Sequence, residues 1–361
     1  MQAHKSLNRM QQLLETEAID LLKKLVSIPS FSKEEQGTAY ALQQYLQSKG
    51  IKADRHVNNV WAVNKYFDAA KPTILLNSHH DTVKPNPGYT LDPFCPTEKE
   101  GKLYGLGSND AGGCLVSLLA TFLYFYDKQD LKYNLLFAAT AEEEISGVNG
   151  IESLLPVIGN ISFAIVGEPT LMDMAIAEKG LLVIDCVAEG VGGHAAREEG
   201  ENAIYKALKD IEWFRTYRFP EVSPLLGPVK MSVTMIQAGT QHNVVPAKCA
   251  FTVDIRINEC YTHEQMLDSI RQHVSCTCTP RSMRLRSTSI DEQHPVILAG
   301  KALGKQVYGS ATLSDKSLMP FPALKMGPGD SARSHTADEF IYINEIKEGI
   351  ATYIQLLNQV L

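Results

Sequence analysis

The chain has 361 residues, 44% of them hydrophobic and 21% charged, and a net charge of −7; this is the make-up of a water-soluble protein too long for one core, so two domains are expected. No run of Lys or Arg offers the positive patch that nucleic acid or an anionic membrane surface requires, which leaves a small polar or ionic substrate as the partner. The seven cysteines include no Cys-x-x-Cys pair, which argues against a disulfide framework and a thiolate zinc site and for core thiols in a reducing cytoplasm.

The polar, helix-periodic N-terminus carries no secretory pattern. From 14 to about 48 the order is amphipathic helix, a turn at SIPSFSKEE, and a second helix that stops at Gly50. NVWAVNKY, PTILLNS, YNLLFAATA and ISFAIVGEP follow, apolar on both faces as the strands of a covered sheet are. Between them CLVSLLATFLYFY, 114–126, is too short to span a bilayer and predicts a buried helix.

After Glu178 the texture changes to strict alternation, in LLVIDCVAEG, VKMSVTMIQAG and AKCAFTVDIRI, with helical stretches at 201–218 and 262–274 and a last strand expected near 282–287. That order predicts a two-layer sandwich of the split βαβ kind. Two closing helical stretches match the texture of the opening region. The organisation expected is therefore one α/β domain, 1–177 with 290–361, interrupted by a second, 178–289.

The chemistry-bearing residues cluster where apolar segments end. In LLNSHHDTVKP, alternation puts His79 and Asp81 on one face of an extended strand and turns His80 to the other. A histidine that binds metal usually gives its second ring N–H to a carboxylate, and His79 with Asp81 meets that requirement. Asp110 in GLGSNDAGG, Glu142 to Glu144 in TAEEEISG and Glu168 in IVGEPT recur at strand exits, where α/β folds gather function. With His335 in RSHTADEF they make a mixed histidine and carboxylate set suited to zinc. GLGSND lacks the third glycine of a dinucleotide-binding loop, so a nucleotide-dependent oxidoreductase is the weaker reading.

HHDTV, GLGSNDAGG, TAEEEISG, VGEPT, GVGGHAA, HNVVP and RSHTADEF stand in the order and rough spacing of the dinuclear zinc M20 peptidase and deacylase family. Over essentially its whole length the chain resembles the N-acetylornithine deacetylase and succinyl-diaminopimelate desuccinylase branch of that family. The resemblance implies a zinc-peptidase-like catalytic domain, with a mixed sheet flanked by helices, and an inserted ferredoxin-like domain that serves as lid and homodimer interface. It implies two Zn²⁺ per subunit, with Co²⁺ able to substitute: His79 and Glu168 on one, Glu144 and His335 on the other, and Asp110 bridging. Glu143 would be the general base, Asp81 the partner of His79, and the Asp110–Ala111 peptide cis. His194 would reach the developing oxyanion from the partner subunit, and Asn243 and Arg256 would approach the substrate.

Three ligand carboxylates against two divalent ions leave a net +1, which a hydroxide neutralises. Glu142 stands where the family commonly has Asp and is given no catalytic role; the residues after Asp110 read AGG where Met-Lys-Gly is usual, and RSH is not the most common lead-in to His335. None of these departures removes a ligand. The activity implied is hydrolysis of an N-acyl amino acid, acetyl- or succinyl-ornithine or citrulline, in cytoplasmic arginine biosynthesis. The alternatives are succinyl-diaminopimelate desuccinylase, a dipeptidase or aminopeptidase of the same family, and a non-catalytic metal-binding relative, which would normally have lost a ligand or the base.

Overall fold

In the computed structural model, which describes residues 2–361 and side chains from Arg9 onward, the chain divides into two compact units. The first runs to Ile176 and takes in Ile290–Tyr308 and Ser314–Leu361; the second is Ala177–Ser289 with Gly309–Leu313. That last short segment departs from the sequence expectation. Gly309 lies so close to the Leu225 carbonyl that a Cβ would come within 2.4 Å of it, and Ser310 accepts a backbone hydrogen bond from Lys179 at 3.1 Å.

The elements that position chemistry run in chain order as α1 Gln2–Val26, α2 Gln36–Ser48, β1 Asn59–Val63, β2 Thr73–His79, α3 Gly113–Phe125, β3 Asn134–Thr140, α4 Ile151–Ile158, β4 Phe163–Val166 and β5 Met174–Glu178. The second unit contributes β6 Gly180–Glu189, α5 Ala203–Thr216, β7 Lys230–Ala238, β8 Lys248–Ile257, α6 His263–His273 and β9 Thr277–Pro280. The chain closes through α7 Pro295–Ala302, β10 Ala323–Lys325 and α8 Ile343–Val360.

In the first unit β2, β3, β4 and β10 run parallel, in the spatial order β3-β2-β4-β10, with β1 and β5 antiparallel on either side. The sheet is mixed, as the composition of its strands suggests. Every residue of β2 and β3 is buried, because helices cover the sheet and leave no solvent face to alternate toward. α3 is buried on nearly all sides, which is why its sequence is apolar all round. Among the described residues no helix is long and apolar enough to cross a membrane.

The second unit is a βαββαβ sandwich with the wholly antiparallel order β7-β8-β6-β9. Leu182, Ile184, Cys186 and Ala188 alternate inward from β6 and pack with Phe251, Val253 and Ile255 of β8, Phe214 of α5 and Met266 and Ile270 of α6. α6 opens with a capping box, Thr262 and Gln265 each satisfying the other's backbone N–H. The fourth strand is Thr277–Pro280, not 282–287. It reads Thr-Cys-Thr-Pro, with Cys278 facing the core opposite Cys186 and no large β-former in it.

Candidate metal centre

A parallel sheet delivers its strand ends to one edge, and here each end carries a metal-binding type of side chain. β2 ends on His79; the loop after β3 carries Glu143 and Glu144; the loop after β4 carries Glu168; and the segment after β10 leads through MGPGDSAR to His335. Asp110 lies in the turn that opens α3, and its peptide bond to Ala111 is cis.

His79 is buried with its two nitrogens facing opposite ways. Nδ1 lies 3.0 Å from the Asp81 carbonyl and 3.4 Å from the Asp81 carboxylate. Nε2 lies 3.3 Å from Asp110 Oδ1, 3.8 Å from Glu168 and 3.9 Å from Glu143. His335 Nε2 lies 3.0 Å from Glu144 Oε2 and 3.6 Å from Asp110 Oδ2. The two oxygens of Asp110 therefore face different histidines. Two triads result, His79–Asp110–Glu168 and Asp110–Glu144–His335, each with donor atoms within 4.8 Å of one another. A carboxylate with one oxygen in each of two nitrogen-and-oxygen donor sets is suited to bridge a pair of borderline divalent cations.

The electrostatics call for such a cation. Asp81, Asp110, Glu143, Glu144 and Glu168 converge on two imidazoles. Burial, with Glu168 alongside, pushes the Glu143 carboxyl well above the usual range. Burial works against a charged His79, yet Asp110 and Asp81 hold its ring well above the ordinary value. Glu144, hydrogen-bonded to His335, lifts that ring to about 9. The surplus of carboxylates over imidazoles is a concentration of negative charge that divalent cations would balance.

His80 points elsewhere. Its Nδ1 meets the Thr38 hydroxyl at 2.9 Å and its Nε2 the Asn58 carbonyl at 3.0 Å. A carbonyl can only accept, so Nε2 carries the proton, and burial lowers the ring to about 4 and keeps it neutral.

Further carboxylates support the centre, and of these Glu339, Glu35 and Asp315 gave no signal in the sequence. Asp81 accepts not only from the His79 side but also from Ser32 Oγ at 2.7 Å and from the backbone N–H groups of Glu143 and Glu144 at 3.0 and 3.2 Å. It ties the β2 exit to the loop after β3. Buried Glu339 accepts from the N–H groups of Gly107, Asn109 and Asp110 at 3.1, 2.8 and 2.9 Å, and burial beside Asp110 lifts its carboxyl to about 7 despite those donors. Glu35 accepts from Asn58 Nδ2 at 2.9 Å and from the Glu142 N–H at 3.3 Å. Glu142 turns its own carboxylate to the Asn149 amide, 2.9 Å away. Asp315, buried, accepts from the Thr140 hydroxyl at 2.6 Å.

The remaining sequence-selected residues belong to the second unit. His194 is exposed on a two-residue strand paired with Val244–Val245, and its Nδ1 accepts from the Ala196 N–H at 3.1 Å. Asn243 is brought beside it: its carbonyl accepts from the Ala195 N–H at 3.0 Å. Arg256, on β8, forms a two-point ion pair with Asp254 at 2.9 and 3.2 Å.

An α/β unit whose parallel strands deliver two histidine–carboxylate triads around one shared aspartate has the architecture of a metal-dependent hydrolase. Residues 75–359 match the family described as Peptidase family M20/M25/M40, and the chain belongs to it. It is accordingly an enzyme acting on linear amides. It is 26% identical over 277 residues to a succinyl-diaminopimelate desuccinylase of Orientia tsutsugamushi (strain Ikeda), covering 71% of each chain. It is 28% identical over 360 residues to an acetylornithine deacetylase of Proteus mirabilis (strain HI4320), covering 90% of this chain and 91% of that one. Among solved structures, aminopeptidase PepT from Bacillus cereus ATCC 10987 superposes with a TM-score of 0.76 at 18% identity, over 96% of this chain and 98% of that chain.

Proposed function

We propose that the chain is a zinc-dependent N-acyl amino acid deacylase that removes an acetyl or succinyl group from ornithine or citrulline, in cytoplasmic arginine biosynthesis. The observation that carries this reading is the divergence of two adjacent acids: Glu144 reaches His335 at 3.0 Å, whereas Glu143 stays beside His79 at 3.9 Å. The divergence supports a ligand role for Glu144 and a base role for Glu143. The deacetylase and desuccinylase relatives support acyl removal as the reaction.

In this reading His79 and Glu168 would hold one ion, Glu144 and His335 the other, and Asp110 would serve both. Zinc ions held there would supply Lewis acidity for the acyl carbonyl and for a water whose pKa such ions lower toward ~7. Asp81 accepts the Nδ1 proton of His79 and so fixes Nε2 as the donor atom. Glu143 takes a proton from the attacking water and passes it to the departing amine. His194 donates to the oxygen on which negative charge develops. Asn243 and Arg256 hold the amino acid; Arg256 shares its guanidinium between Asp254 and the substrate carboxylate.

The homodimer is assigned to the second unit, where β7 forms one border of the sheet and exposes Met235 and Ile236. The relative from Orientia supports the alternative reading, a succinyl-diaminopimelate desuccinylase. Initial rates of purified, zinc-loaded protein on acetyl- and succinyl-ornithine, the citrulline analogues, succinyl-diaminopimelate and dipeptides test the reading. Turnover of dipeptides alone would overturn it.

A further inference from the structure

The inserted unit holds three sulfurs that amide hydrolysis leaves unused. Cys186 lies in the middle of β6, Cys278 is its cross-strand partner on β9, and Cys276 lies two residues before Cys278 on the same face. Cys278 Sγ is 3.7 Å from Cys186 Sγ and 3.7 Å from Cys276 Sγ. All three sulfurs lie within 4.8 Å of one another, and all three residues are buried. Buried cysteines ordinarily serve as small apolar fillers. A fourth cysteine of the same core, Cys249, does just that and adds no sulfur to the group.

The spacing is that of ligands. Sulfurs bound about 2.3 Å from one cation stand ~3.8–4.0 Å apart, whether the arrangement is tetrahedral or trigonal. The Arg271 guanidinium donates to the Cys278 carbonyl at 3.3 Å and so sets a positive charge beside the group. There is also a way in. Cys276 lines a cavity of about 360 Å³ together with Lys206, Lys209 and Asp210.

We propose that Cys186, Cys276 and Cys278 form a three-sulfur site for copper(I). Thiolates select soft cations, and copper(I) is content with three of them, whereas structural zinc takes four ligands. Among the described residues no carboxylate or imidazole joins the three sulfurs within 4.8 Å; Asp210 and Glu189 line the cavity, and Asp210 is turned to the N–H groups of Ser275 and Cys276 at 3.0 and 2.9 Å. Binding exchanges thiol protons, released to solvent, for one cation and needs no electron transfer when the metal arrives as copper(I). Arg271 and the two lysines at the cavity offset the remaining negative charge. The proposal is independent of the hydrolytic reading, whose ligands are nitrogen and oxygen.

The test uses the full, zinc-loaded chain with the exposed Cys95 and Cys260 replaced by serine, titrated anaerobically with copper(I) buffered by bathocuproine disulfonate. We expect a single copper per chain held against the chelator, three sulfur neighbours and no nitrogen or oxygen at the copper absorption edge, and unchanged zinc content. Cys278→Ser and Cys276→Ala each weaken copper binding beyond the ~10–100-fold that loss of a mere supporting partner costs, and Cys249→Ser leaves it unchanged. No copper retained by the unsubstituted cluster, nitrogen or oxygen neighbours in the spectrum, or equal weakening by Cys249→Ser overturns the proposal. Should Cys278→Ser fail to fold, the stoichiometry and spectrum of the intact cluster decide alone.

Discussion

The two triads share Asp110 but not an environment. The His79 side chain is 1% exposed and that of His335 53%. His79 ends a buried strand, and Asp81 behind it is fixed in turn by Ser32 and two backbone N–H groups. His335 stands on a loop with φ +60° and meets Glu144 and Asp110 from the solvent side. One half of the centre is preorganised by packing; the other is completed by a loop. The halves should therefore differ in affinity for metal and in their response to damage.

The largest effect tests what lies between them. Glu143→Ala should lower turnover by ~10²–10⁴-fold, the range for a removed general base, while both zinc ions stay bound; initial rates with metal analysis check this, and near-normal turnover removes Glu143 from its role. Next, stepwise chelation should take the ion of the His335 half first, so that His335→Ala retains one zinc where His79→Ala loses the tighter one. Calorimetric zinc titration of both variants reads the difference, and two equal affinities would break the comparison. Asp81→Asn should weaken the buried half by ~10–100-fold, the usual cost of removing a ligand's hydrogen-bond partner, and the open half less, through the altered hold on the Glu144 N–H, in the same titration. The smallest effect belongs to His80→Ala, with zinc binding intact but stability lower by about 1–3 kcal/mol, because the Asn58 carbonyl and Thr38 hydroxyl lose a buried partner. Urea unfolding at fixed zinc measures it, and a large loss of zinc instead would place His80 in the centre.

What was legible in the sequence follows the same division. Strand alternation separated His79 from His80, since a period of two needs no knowledge of the tertiary structure. Apolar strands ending in acids marked the sheet edge. The βαββαβ order of the second unit could be read from its change of texture, except for its last strand, where cysteine and threonine replace the residues that announce a strand. The supporting contacts were not legible. Asp81 meets backbone groups 62 and 63 residues away, and Glu339 meets Gly107 across 232; side-chain to main-chain bonds of that span leave no periodicity. The convergence of Cys186 with Cys276 and Cys278 was hidden for the same reason: the spacing within β9 is visible, the cross-strand partner is not.

The grip of Glu339 on the main chain of Gly107, Asn109 and Asp110 bears on the order in which the molecule is made. Asp110, shared by the two triads, is translated early, but the carboxylate that fastens its loop and the second histidine come at positions 339 and 335 of 361. A ribosome-bound chain carrying every other ligand still lacks both. The buried half can gather its donors during synthesis, whereas the complete centre can form only when the C-terminal segment has emerged. A premature stop anywhere before His335 therefore yields a protein with at most half a centre, however much of the sheet has folded.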